Sequence, residues 1–219
     1  SQHRKLEPNT PPTACFALCD GDAVERVYAF CNLHGLWKTE ILSERKLKTM
    51  DKRVHELLNN QINKEFYSAY LYLDFANFYE AKGLLGFSSW FRIQAKEEQD
   101  HGLMFYQYLQ NNNATVELKQ ISAPSHKCEK IEDPLYESLK HEQYVTESIN
   151  KIFAQALDDK DYRSMEFLNW FIKEQSEEEN SAQTLITKMK LYGSDCKGLY
   201  MLDNELGLRT YSAPTVKLD

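Results

Sequence analysis

QAKEEQDHGLMFYQYL, residues 94–109, opens polar and charged and then turns apolar and aromatic. Glu98 and His101 stand three apart, so on a helix a carboxylate and an imidazole share one face, a turn apart. Whether that face meets water or a core decides the architecture around it. Stepping three or four residues at a time through the stretch and its flanks gives Phe87, Phe91, Gln94, Glu98, His101, Phe105 and Tyr108. That is an aromatic stripe interrupted by polar groups. The pair points inward.

The same periodicity runs through three more segments. It gives Val54, Leu58, Ile62, Glu65, Ala69, Tyr72, Ala76 in one, and Leu135, Leu139, Glu142, Val145, Ile149, Phe153, Ala156 in another. The last reads Leu168, Phe171, Gln175, Glu178, Ala182, Leu185, Met189. Helices are expected over about residues 51–81, 84–112, 133–158 and 161–192, with a short fifth over about 198–206. Asp133-Pro134 reads as an N-cap followed by Pro at the first helical position. Tight turns join the first two helices at Gly83 and the third and fourth at Asp158-Asp159-Lys160. Between the pairs lie about twenty residues, Ala114 to Glu132, too many to join antiparallel neighbours. Two hairpins and one long crossover describe an all-α, ferritin-like four-helix bundle with a short fifth C-terminal helix.

The acids are in register. Glu65 lies 33 residues before Glu98, and Glu142 lies 33 before Gln175; His101 follows Glu98 by three as Glu178 follows Gln175. Equal spacing in two similar hairpins sets all six groups at one depth. A lone Glu-x-x-His would read as solvated helix charge; six groups in register do not. Buried without compensation, such carboxylates would be costly or protonated. Two divalent cations balance Glu65, Glu98, Glu142 and Glu178. Oxygen ligands with one imidazole suit iron or manganese, although zinc could also occupy the site.

The bulk composition agrees. Of 219 residues, 42% are hydrophobic and 27% charged, with 8 Gly and 6 Pro, which favours helices over many short strands. A net charge of −7 argues against a nucleic-acid partner and suits the gathering of cations. No apolar run has the length of a membrane span, and SQHRKLEPNTPP lacks the apolar core of a secretory signal. Five cysteines at uneven spacing do not form a disulfide framework, so the expected compartment is cytoplasmic and reducing.

NNQINKEFYSAYLYL, QAKEEQDH, KHEQYVTESIN, FLNWFIKEQSEEE and GLYMLDNELG resemble the non-haem ferritins of bacteria and archaea, over about residues 52–210. The resemblance implies that Glu65, Glu98 and His101 hold one iron. Glu98 would bridge to a second iron held by Glu142 and Glu178, with Gln175 beside it. It implies a third iron site at Glu97, Glu174 and Glu177, and a catalytic tyrosine at Tyr72. The bland alternatives are solvated charges for the three outer acids and a core aromatic for Tyr72. Gln99 stands where haem-binding relatives carry Met, so no haem is expected. Peroxide reductases and bacterioferritins repeat Glu-x-x-His in the second half, where this chain has Gln175-Ser176-Glu177-Glu178.

Residues 1–48 form an extension with no counterpart in that resemblance, ahead of a domain over 49–211 and a loose tail over 212–219. Cys15, Cys19, Cys31 and His34 could give three thiolates and an imidazole to a tetrahedral zinc or iron ion. The alternative is an arm with free thiols whose Phe30, Leu33 and Trp37 pack on the bundle. Cys128 and Cys196 read as inert loop cysteines.

The leading expectation is an iron store that is also a ferroxidase, taking Fe(II) and dioxygen or hydrogen peroxide. By resemblance, twenty-four copies would close into a shell. A rubrerythrin-like di-iron peroxide reductase and a shell subunit without turnover remain as alternatives.

Overall fold

The computed structural model describes residues 24, 26–31, 35–40, 50–125 and 127–214. The chain divides into two compact units, Ser1–Lys48 and Thr49–Asp219. In the first, β1 (Arg26–Cys31) pairs antiparallel with β2 (Gly35–Glu40), in register from Arg26 opposite Glu40 to Cys31 opposite Gly35. This hairpin was not anticipated, although Val27, Tyr28, Phe30 and Trp37 are residues that favour strands. Cys15, Cys19 and His34 lie outside the described residues, and with them the tetrahedral site expected there. So do residues 215–219 of the tail.

The second unit is helical: α1 (Lys52–Ala81), α2 (Leu85–Asn111), α3 (Asp133–Asp158), α4 (Tyr162–Tyr192) and α5 (Cys196–Leu206). Among the described residues no helix is long and apolar enough to cross a membrane. Every stripe position named above is buried except Ala69, Leu139 and Phe153, which are half-buried. The stripes therefore form the bundle interior. Two apolar cores result. One gathers Tyr72, Phe75, Tyr79, Phe91 and Leu185, the other Leu58, Phe105, Ile149, Leu168 and Phe171. The register of acids falls between them.

Two local readings need correction. Asp133 is not the N-cap of α3; that position is Glu132, and Asp133 sits in the first turn. Its carboxylate instead accepts from the backbone N–H groups of Glu129 and Lys130, both at 2.8 Å, closing the preceding turn. Cys196 is not in a loop but opens α5, because Asp195 caps that helix by accepting from the Gly198 N–H at 2.9 Å.

The crossover is pinned along α1 by side chains four residues apart. His55 bonds the Thr115 carbonyl at 2.7 Å, Asn59 bonds both the N–H and the carbonyl of Glu117, and Asn63 reaches the carbonyls of Lys119 and Gln120. The backbone groups of Thr115, Glu117, Lys119 and Gln120 thus find partners without regular structure of their own.

Helices α1, α2 and α3 end alike, each with one residue at positive φ: Gly83 at 74°, Asn113 at 54° and Lys160 at 55°. The next N–H in each case bonds back to Tyr79, Leu109 or Ala156, which closes the last turn. Lysine carries a steric penalty there that glycine does not. Lys160→Gly is expected to stabilise the fold by about 0.5–1 kcal/mol. A thermal melt that drops instead would show that Lys160 contributes more through its side chain than the backbone costs.

The α1–α2 turn also receives α5. Leu84 gives α2 no side-chain cap, and Asp203 of α5 supplies one by accepting from the Phe87 N–H at 3.0 Å. This close approach needs Gly86, whose missing Cβ would fall 1.6 Å from the Asp203 carbonyl oxygen.

Candidate metal centre

Four helices each bring acids or amides to one depth. α1 supplies Glu65, α2 Glu98 and His101, α3 Glu142, and α4 Gln175 and Glu178, and all six are buried. Glu65, Glu98 and His101 have ligand atoms within 4.8 Å of one another. His101 Nδ1 lies 3.6 Å from Glu98 Oε2, and its ring stands edge-on to Trp170 and Phe171, which fix its plane. Glu142 and Glu178 fall outside that spacing, each held by neutral donors. Glu142 accepts from the Tyr72 hydroxyl and from the Gln175 amide at 3.0 Å. Glu178 Oε2 accepts from the Gln94 amide at 2.6 Å.

Burial dominates the electrostatics. It pushes the Glu65, Glu98 and Glu178 carboxyls well above the ordinary range, and neighbouring acids push further: Glu98 on Glu65, Glu142 on Glu98, Glu142 and Glu98 on Glu178. Glu142 is raised by burial too, against the pull of its Tyr72 and Gln175 hydrogen bonds. Tyr72, buried beside Glu142, stays protonated far into the alkaline range. One atom stands out. Glu65 Oε2 is buried with no hydrogen-bond partner, although Gln61 donates to Oε1 at 2.7 Å. An ionised oxygen so placed needs a proton or a cation. Carboxylates with one imidazole are a donor set that fits iron.

The sequence profile of the Ferritin-like domain family matches residues 55–192. The chain belongs to the ferritin family. This ferritin is 37% identical over 162 residues to the bacterial non-heme ferritin of Staphylococcus aureus, covering 74% of this chain and 98% of that one. It is 32% identical over 158 residues to a probable bacterial non-heme ferritin-like protein of Haemophilus influenzae, covering 72% of this chain and 96% of that one. Among solved structures it is similar to the open-pore ferritin of the archaeon Archaeoglobus fulgidus, with a TM-score of 0.72 and 36% identity over 74% of this chain and 99% of that one.

In this ferritin the three outer acids are neighbours without forming a tight cluster: Glu174 pushes on Glu97, and Glu177 on Glu174. Glu97 is half-buried and held by Arg209 at 2.5 Å; Glu174, also half-buried, lies 4.0 Å from His101 Nε2; Glu177 is exposed. Burial raises the carboxyls of Glu97 and Glu174. The sequence reading missed the groups that hold the acids. Gln61 is oriented by Ser148, whose hydroxyl donates to its carbonyl oxygen at 2.6 Å, and Lys64 donates to Ser148 at 2.5 Å. A signal was present: Gln61 precedes Glu65 by four just as Gln94 precedes Glu98 by four.

A pH dependence follows for the metal-free ferritin. Glu65, Glu98 and Glu178 have folded pKa values above those of the unfolded chain, so between the two the folded chain binds more protons than the unfolded one. Stability then falls as pH rises. The contribution is complete below the ordinary glutamate range and is lost as pH climbs through the raised values. Chelator-treated protein melted at increasing pH should show this decline, and Glu65→Gln should flatten it. A wild-type slope no steeper than the variant's would contradict the assignment.

Proposed function

We propose that this ferritin oxidises Fe(II) at Glu65, Glu98, His101, Glu142, Gln175 and Glu178, and stores the ferric product inside a shell of its own copies. The observation that carries this reading is the group of four buried carboxylates with raised pKa values around the unpartnered Glu65 Oε2. Ferrous iron is the substrate here. Its arrival displaces protons from the acids, which compensates the buried charge. Glu65 and His101 would bind one ion, Glu142 and Glu178 the other, and Glu98 both. Gln175 and Tyr72 orient Glu142, and Gln94 orients Glu178. The surrounding Phe91, Phe105 and Phe171 exclude water from the centre. Each of two ferrous ions gives one electron, and dioxygen takes the pair with two protons to leave as hydrogen peroxide. Glu97, Glu174 and Glu177 would take a further iron on its way to the mineral.

Assembly into a shell of twenty-four agrees with the apolar side chains exposed on and beside α5, among them Leu191, Tyr200, Met201 and Leu208. The test joins both halves of the proposal. Purified protein given Fe(II) under air should consume oxygen in a fast phase that saturates at two irons per chain, and should scatter as a particle many times its 25.6 kDa chain. A monomer or dimer without oxygen uptake would overturn it.

A further inference from the structure

Arg209 lies just beyond α5, yet its guanidinium reaches two residues of α2 that border the metal centre. Nη2 is 2.5 Å from Glu97 Oε2, and Nη1 is 2.8 Å from Gln94 Oε1 and 3.5 Å from the Trp90 carbonyl. The guanidinium carbon sits over the Trp90 ring at 4.5 Å. Because Arg209 takes the carbonyl end of Gln94, the amide nitrogen is left to face Glu178, where it donates at 2.6 Å. The segment carrying Arg209 is itself held on α2. The Tyr211 hydroxyl donates to Asp100, and the Lys96 ammonium lies 4.0 Å from the Tyr211 ring centroid.

We propose that Arg209 is the resident counter-ion of Glu97: it competes with a third metal ion for that carboxylate and turns the Gln94 amide towards Glu178. This rests on the metal-centre reading above. A guanidinium stays protonated throughout the accessible pH range, so it cannot vacate Glu97 by losing a proton. It must be displaced. A third ion therefore binds only against that cost, and the outer site is weak by construction. A weak site beside a tight one suits an ion in transit.

The test uses Zn(II), which takes no part in redox turnover, titrated by calorimetry into the full-length protein with its cysteines alkylated, so that the N-terminal thiols take no ion. Wild type should take two tight equivalents, with the third weak. Arg209→Gln should tighten the third about tenfold, the scale of one charged hydrogen bond. Arg209→Lys, which keeps the charge, should return it towards wild type. Adding Glu97→Gln to Arg209→Gln should abolish the gain. A third equivalent unchanged in Arg209→Gln, or a gain that survives the loss of Glu97, would overturn the proposal. Trp90 gives a second reading that needs no arginine variant. The wild-type tryptophan emission should change with the third equivalent and not in Trp90→Phe; emission that follows only the first two equivalents counts against displacement. Fewer than two tight equivalents in the wild type would instead defeat the metal centre itself.

Discussion

If Glu98 bridges two irons as proposed, Glu98→Ala is expected to lower the initial rate of Fe(II) oxidation by at least about a hundredfold, a ligand mattering at least as much as the partners that orient ligands. The chain should still fold and associate. Glu98 is 2% exposed, stands in the cluster with Glu65 and His101, and is linked electrostatically to both Glu142 and Glu178. A carboxylate shared by two ions, the role proposed for Glu98, would take a ligand from each when it is lost. The structural cost is smaller, because alanine removes a buried acid that repels its neighbours at the same time as it leaves a cavity. Stopped-flow oxidation beside a scattering measurement separates the two effects. A near-normal initial rate in an intact particle would remove Glu98 from the centre.

The second large effect is structural. Gly86→Ala is expected to cost about 3 kcal/mol, near the upper end for overpacking. In a chain of this size that is roughly a 6–12 °C fall in melting temperature. The added Cβ would sit 1.6 Å from a backbone oxygen of α5 and 2.5 Å from its carbon, so no flexible side chain can yield. Either α5 shifts or it undocks, and undocking exposes Leu202 and Leu206. Hydrogen exchange should show lost protection in α5 before the bundle opens. An unchanged melt would mean that the two backbones are not so close.

Much of this was legible because helical periodicity is a strong signal over four long segments. The stripes placed Glu65, Glu98, His101, Glu142, Gln175 and Glu178 inside, and the structure buries all six. What spacing along one helix does not show is which side chains meet between helices. Gln94 appeared in its stripe, yet only the structure shows its amide meeting Glu178 of α4. Arg209 sits beyond the last helix, where no periodicity applies. The ends of short elements were also hard to read. Asp133 looked like a cap for the helix after it and instead serves the turn before it. The β1–β2 pairing was hidden because six-residue strands carry too little pattern to separate from loop.

The equal division of acids between the two hairpins has a kinetic consequence. α1 with α2 carries Glu65 and Glu98, and α3 with α4 carries Glu142 and Glu178, so each half can form with its own carboxylates still hydrated. Repulsion between the halves, Glu142 on Glu98 and Glu98 on Glu178, begins only when they dock and water leaves the space between the two apolar cores. Local contacts within a hairpin form early, whereas docking must also close the crossover. The barrier to reaching the native state therefore falls on the final encounter of two preformed halves. Protons or ferrous ions present at that moment would act as folding catalysts, lowering the barrier by neutralising the seam as it closes.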